Sequence, residues 1–228
     1  MTKRNVVALA MIASLVLVGA DALAHRAVAI GGVYDGPAVA IQLTDPDVSQ
    51  VVYGDLPVTH PSLWVAVDVP AATDLYVQLG VPVINRLRSY RPQFAVLGPD
   101  LPALAIPAAV PSGLGGVLVV ASSIGDATRF HEPVTDTDSW IVGEATVRLP
   151  SAGRYYVVAW SSSIIDGKAW VAVGHREAFG WSDLVALPRV IDAVRSFYEL
   201  GPDPRLMAAS KALYLAAVAV VIACLALL

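Results

Sequence analysis

The chain has 228 residues, a formal net charge of -4 and a 56% hydrophobic composition. Its Lys and Arg residues form no basic stripe, which argues against nucleic acid as a partner. The single cysteine, Cys224, excludes a disulfide-stapled scaffold, so any exported domain here must rely on its apolar core.

Residues 1–24 read as a secretory signal peptide. Lys3 and Arg4 precede an apolar stretch from Asn5 to Gly19, and Ala22-Leu23-Ala24 fits the small-x-small cleavage rule. Cleavage after Ala24 would make His25 the first mature residue. The competing reading is an uncleaved N-terminal anchor, but the apolar run is short for a span. Lys3, Arg4 and Asp21 leave with the peptide, taking the net charge to about -5.

Residues 25–175 are dominated by a period of two. Leu63, Val65, Val67 and Val69 share one face of Ser62–Val69. Leu75, Val77 and Leu79 do the same in Asp74–Gly80, as do Ala145, Val147 and Leu149 in Glu144–Leu149. This alternation marks half-buried strands. Arg154–Trp160 and Lys168–Gly174 are apolar on both faces and read as central strands. Shorter runs at Ala38–Leu43, Gln93–Leu97 and Gly116–Ala121 bring the expectation to about eight or nine strands. Pro150–Gly153 and Ser161–Gly167 supply turns. The predicted fold is mainly β, an antiparallel β-sandwich; a parallel sheet would need crossover helices. Leu101–Gly115 is a Pro/Ala-rich connector. It either divides the region into halves (25–98 and 116–175) or crosses one sandwich. One sandwich is preferred, because each half offers few strands for two sheets.

The period then changes. Trp181 to Leu200 places Leu184, Leu187, Val190, Ile191, Val194 and Phe197 at helical spacings. This predicts an amphipathic helix, with linker, over residues 176–204, with Ser182 as N-cap. Pro188 would kink it or open a second helix, and Gly201-Pro202-Asp203-Pro204 would stop it. Its apolar face could pack on the sandwich, lie on a bilayer or dock a partner.

Residues 205–228 are predicted as a transmembrane helix. The uncharged run Ala212–Leu228 would rise about 25 Å against a hydrocarbon core of roughly 30 Å. Lys211 can snorkel to the headgroups and Tyr214 suits the interface. The basic residues Arg205 and Lys211 precede the span and none follows, which by itself would put that end in the cytoplasm. The signal peptide points the other way and takes precedence. Cys224 then reads as a small apolar residue facing lipid.

Asp45–Gly54, Asp74–Ile84, Phe130–Pro133, Gly153–Trp160 and Gly167–Phe179 together resemble exported, membrane-anchored bacterial proteins with a small β-sandwich of the pre-peptidase C-terminal type. The main likeness is a glycine and aromatic pair, an apolar strand, a turn, then Gly-Lys, a strand and Gly. It covers about half of the chain. The resemblance implies an accessory or binding module and carries over no catalytic residue.

Four histidines supply a metal hypothesis. A mature N-terminal His25 offers an amine and a ring nitrogen, and His60, His131 or His175 could complete a tetragonal nitrogen site for Cu(II). No His-x-His or Met-rich tract supports it. Asp45, Asp47 and Asp55, or Asp136 and Asp138, could offer oxygen ligands to calcium, but aspartates in turns usually bond the local backbone. Ser161, Ser162 and Ser163 lack a nucleophile elbow. Trp64, Trp140, Trp160, Trp170 and Trp181 suit either a sugar platform or, preferably, packing. The expectation is therefore an extracytoplasmic binding or scaffolding protein, an accessory subunit in the cell membrane or envelope. It has no catalytic residues and no expected cofactor, with copper as the rival. Its partners would be membrane lipid, through the C-terminal helix, and a membrane or envelope protein.

Overall fold

The computed structural model describes residues 25–107, 110–119, 121, 127–178 and 180–225. The predicted signal peptide, residues 1–24, lies outside the described residues.

Among these residues there are eleven strands: β1 Arg26–Ile30, β2 Ile41–Leu43, β3 Gln50–Leu56, β4 Ser62–Val69, β5 Thr73–Pro82, β6 Gln93–Gly98, β7 Gly115–Val119, β8 Thr128–Glu132, β9 Thr137–Leu149, β10 Gly153–Trp160 and β11 Gly167–Val173. Sheet I has the order β1-β3-β11-β5-β9-β8, and sheet II the order β2-β4-β10-β6-β7. Pairing is antiparallel except at two edges. There β1 runs parallel to β3, and β2 parallel to β4. This departs from an all-antiparallel expectation. Strands from before and after the Pro/Ala-rich connector alternate in each sheet: β11 separates β3 from β5, and β10 separates β4 from β6.

The core lies between the sheets. Leu75, Val77, Leu79 and Val81 of β5 meet Leu63, Val65 and Val67 of β4, with Phe94, Val96 and Val157 beside them. Their branched side chains suit a pleated surface. Each large apolar side chain so buried contributes roughly 1.5–3 kcal/mol.

Alternation alone would leave the second face of β4 in water, yet only Asp68 of that strand is exposed. The outer face of sheet II is covered. Trp64, Ala95, Leu97, Val158 and Trp160 form a second apolar cluster, and Leu104, Ile106 and Val110 of the connector pack on it. The connector is thus a strap across sheet II. Gly116 N–H donates to the Pro102 carbonyl at 2.7 Å, closing its base. Gly115 permits that closeness, since a Cβ there would stand 1.9 Å from the Leu101 carbonyl oxygen.

Sheet I is covered by α1, Trp181–Phe197. Val194 and Phe197, with Tyr198 just beyond the helix, pack on Val51, Tyr53, Trp170 and Ala172. The apolar stripe of the helix therefore faces the sandwich. Its N-cap is Gly180, not Ser182: the Asp183 carboxylate accepts the Gly180 N–H at 2.7 Å. Pro188 sits inside one continuous helix and opens no second one. The chain leaves the helix before it reaches Gly201. Glu199 adopts a left-handed φ of 60°, and the Leu200 N–H turns back to the Arg195 carbonyl at 2.8 Å. A glutamate bears this conformation because Arg86 and Lys168 both pair with it.

A second helix, α2, spans Pro204–Leu225. Asp203 caps it, accepting N–H bonds from Arg205 at 2.7 Å and Leu206 at 3.3 Å. Among the described residues no helix is long and apolar enough to cross a membrane. The first turns of α2 carry Arg205, Ser210 and Lys211. The apolar remainder, Ala212 to Leu225, rises about 21 Å. The predicted span continued to Leu228, and residues 226–228 lie outside the described residues.

Candidate functional site

The site that combines enclosure with unusual chemistry lies between sheet I and α1. β1 lies along the edge of the sheet, with Arg26 opposite Gln50. His25 precedes it, its Nδ1 hydrogen-bonded to the Ser49 hydroxyl and its ring tilted against Trp170 at 6.2 Å. The β8–β9 hairpin brings Glu132, Val134 and Thr135 to the same place. α1 closes the top with Asp183, Leu187 and Val190. These residues line a cavity of about 90 Å³. That volume holds a few waters or one small group, well short of the 300–1,000 Å³ typical of organic ligand sites.

The electrostatics of the cavity are uneven. Arg26 pairs with Asp183 at 3.0 Å, and Asp183 is already the capping carboxylate of α1. Glu132 accepts one N–H bond, from Val134 at 3.1 Å. Burial pushes its carboxyl up to about 7, with the nearby Glu177 adding to the rise and the Val134 bond and His131 opposing it. Burial lowers the His25 imidazole from its usual 6.5, so its neutral form prevails at neutral pH. Burial also raises the Tyr53 and Tyr198 hydroxyls. Beneath the helix end runs a polar chain. Trp170 Nε1–H donates to Ser139 Oγ at 2.9 Å, which bonds the Tyr198 hydroxyl at 2.7 Å. Arg195 donates to the carbonyls of Thr135 at 2.9 Å, Asp136 at 3.2 Å and Gly201 at 2.9 Å. That guanidinium joins the β8–β9 turn to the segment between α1 and α2.

The four candidate copper ligands stand in four different surroundings. His25 lines the cavity. His60 lies in the turn after β3 and bonds its neighbour Thr59 at 3.0 Å. His131, on β8, faces Asp138 at 3.3 Å and Asp136 at 3.8 Å. His175 stacks on Tyr76 at 4.1 Å. Among the described residues no group of three His, Cys, Asp or Glu side chains comes together as a metal site. The aspartates spend their oxygens elsewhere. Asp45 pairs with Arg176 at 2.8 Å, and Asp138 with Arg129 at 2.8 Å. Asp55 accepts the Gly32 N–H at 2.9 Å. Ser161 and Ser163 bond N–H groups two residues on, as turn residues do.

Trp64, Trp160 and Trp170 are buried, and Arg91 covers the Trp140 ring at 5.4 Å. They pack and offer no flat platform. Trp64 and Trp160 do border a second cavity of about 280 Å³ with Asp35, Ser62 and Pro107. Ser49 and Glu132 fall within Asp45–Gly54 and Phe130–Pro133, but nothing in those segments marks either as a site residue. Their importance comes from β1 and α1 meeting over one strand end.

No protein-family model matches the chain, and no curated protein matches it. Among solved structures, the pre-peptidase C-terminal domain of a collagenase from Bacillus anthracis is similar at 12% identity and a TM-score of 0.36. The match covers 59% of this chain and 93% of that one.

Proposed function

We propose that this chain is an exported binding or scaffolding protein, held at the outer face of a cell membrane by its C-terminal segment and acting as an accessory subunit. In this reading the signal peptide is removed after Ala24, residues 25–175 work outside the cytoplasm, and residues 205–228 enter the bilayer.

The observation that carries the reading is the exposed apolar surface of α2. Leu215 is 63% exposed and Ile222 is 61% exposed, and neither joins the packed clusters of the sandwich. An apolar helix of this kind calls for a covering that the described chain does not supply, and lipid is the covering its composition fits. The short segment Gly201–Asp203, clamped by Arg195, supports a domain seated close to that surface.

Membrane fractionation tests this. The full chain should stay with membranes through high salt and alkaline carbonate, and a chain ending at Asp203 should be released into the soluble exported fraction. Protease added outside intact spheroplasts should digest the sandwich. Full-length protein free of membranes, or a sandwich shielded from outside protease, would refute the reading. The partner is tested by cross-linking in membranes, where a protein that never leaves the monomer position would count against a scaffolding role.

A further inference from the structure

The cavity under α1 contains one carboxyl with no ion-pair partner among the described residues, Glu132. Arg26 and Asp183 satisfy each other. Among the described residues no Lys, Arg or His pairs with Glu132 at ion-pair distance. Of its ionisable neighbours, Glu177 disfavours the charged form of Glu132 and His131, beyond ion-pair distance, favours it. A half-buried carboxylate without an ion-pair partner is costly to ionise, and a cation beside it would relieve that cost. The cavity is small, and His25 and Glu132 both line it.

We propose that the α-ammonium created at His25 by signal-peptide removal is the missing cation, and that it forms a half-buried ion pair with Glu132 which locks β1 and α1 onto sheet I. The proposal rests on the reading that cleavage follows Ala24. The step itself is hydrolysis by a signal peptidase. Water adds across the Ala24–His25 peptide bond, Ala24 leaves with a carboxylate, and His25 keeps the nitrogen as an amine that takes up a proton. An α-amine ordinarily titrates near 8, so at neutral pH it is charged and can serve as the partner.

Three features favour this over a chance juxtaposition. His25 is fixed: its ring is held by Ser49 and Trp170, and the Arg26 N–H donates to the Ser49 carbonyl at 2.9 Å. The imidazole is not itself the counter-ion, because burial keeps it neutral. The raised carboxyl of Glu132 is what a chain with an uncharged peptide nitrogen at residue 25 should show. Processing would then do more than release the protein. It would complete the packing of the first strand and of the helix that leads to the C-terminal segment.

The test uses the mature chain, with its C-terminal helix, in detergent micelles. Four forms are compared: His25 with a free amine, the same form acetylated at that amine, and each of these carrying Glu132→Gln. Thermal unfolding at pH 7 gives a cycle. The free amine should raise Tm over the acetylated form in the Glu132 chain, and the difference should vanish with Glu132→Gln. The acylation rate of the N-terminal amine, read by peptide mass spectrometry, should be at least tenfold slower in the Glu132 chain than in the E132Q variant. Equal Tm differences in both backgrounds, or equal acylation rates, would overturn the ion pair. N-terminal sequencing of protein taken from membranes addresses the other premise, and a terminus other than His25 would overturn the link to processing while leaving the in vitro cycle interpretable.

Discussion

Phe197 offers the sharpest handle on how α1 is held. Its ring is 5% exposed, lies edge-on to Tyr53 at 5.3 Å and to Tyr198 at 5.8 Å, and sits under the Lys168 ammonium at 4.9 Å. Phe197→Ala removes all three contacts and leaves a gap at the sheet surface. Core Phe→Ala changes cost about 3–5 kcal/mol, ring-edge contacts included. The site is at the outer face of sheet I, where the helix end can partly collapse, so the low end, about 3 kcal/mol, is expected. Among the described residues Val194, Phe197 and Tyr198 are the buried anchors of this cluster, with Val190 packed beside them and Ile191 also buried. The loss therefore falls mainly on local detachment of α1, not on global unfolding. At about 1.4 kcal/mol per decade, hydrogen exchange across residues 181–197 should quicken about a hundredfold, while β4 and β10 in sheet II keep their protection. Phe197→Leu should recover most of it. An acceleration under about tenfold, or one shared equally by β10, would refute the argument that this contact holds the helix.

Other outcomes follow from single contacts. Tyr198→Phe strips the hydroxyl that bonds Ser139 at 2.7 Å and should lower stability by about 1–2 kcal/mol, seen as a lower urea midpoint with an unchanged m-value. Gly174→Ala should destabilise by more than about 1–2 kcal/mol, because φ there is +80° and a Cβ would stand 2.4 Å from the Val48 carbonyl oxygen; an unchanged Tm would contradict this. The N–H groups of Arg205 and Leu206 hold the Asp203 carboxyl below the usual aspartate range. Its capping contribution is therefore present above that range and fades as pH falls through the depressed folded value. Protection factors for the first-turn amides of α2, corrected for the intrinsic rate at each pH, should fall on acidification, and Asp203→Asn should abolish that dependence.

Strands with one wet face or a fully buried position are legible in the sequence. Asp74–Gly80 alternates in β5 as its sequence does, and the two runs apolar on both faces, in β10 and β11, are central strands. Three strands leave no such mark, for separate reasons. β1 follows closely on the apolar N-terminal stretch and resembles it in composition. β3 is buried along nearly its whole length, so QVVYGDL shows no alternation. β8 reads TRFHE, a polar edge with no apolar rhythm. Parallel pairing at the edges leaves no local mark at all, because register across distant strands is set by tertiary packing. The cavity is hidden for the same reason. His25 stands out through its position after Ala24, but Glu132 is more than a hundred residues away, and only the sheet order brings them together.

The strap over sheet II solves a problem that any chain meets when it folds among many copies of itself. The wall formed by Trp64, Leu97, Val158 and Trp160 is sticky enough to recruit a neighbour. Another strand laid over it would bring its own unpaired N–H and C=O groups and invite further additions. A segment punctuated by Pro99, Pro102, Pro107 and Pro111 cannot do so, since each proline lacks the donor that a growing ladder requires. The chain thus seals its greasiest wall with the one kind of backbone that cannot seed a fibril.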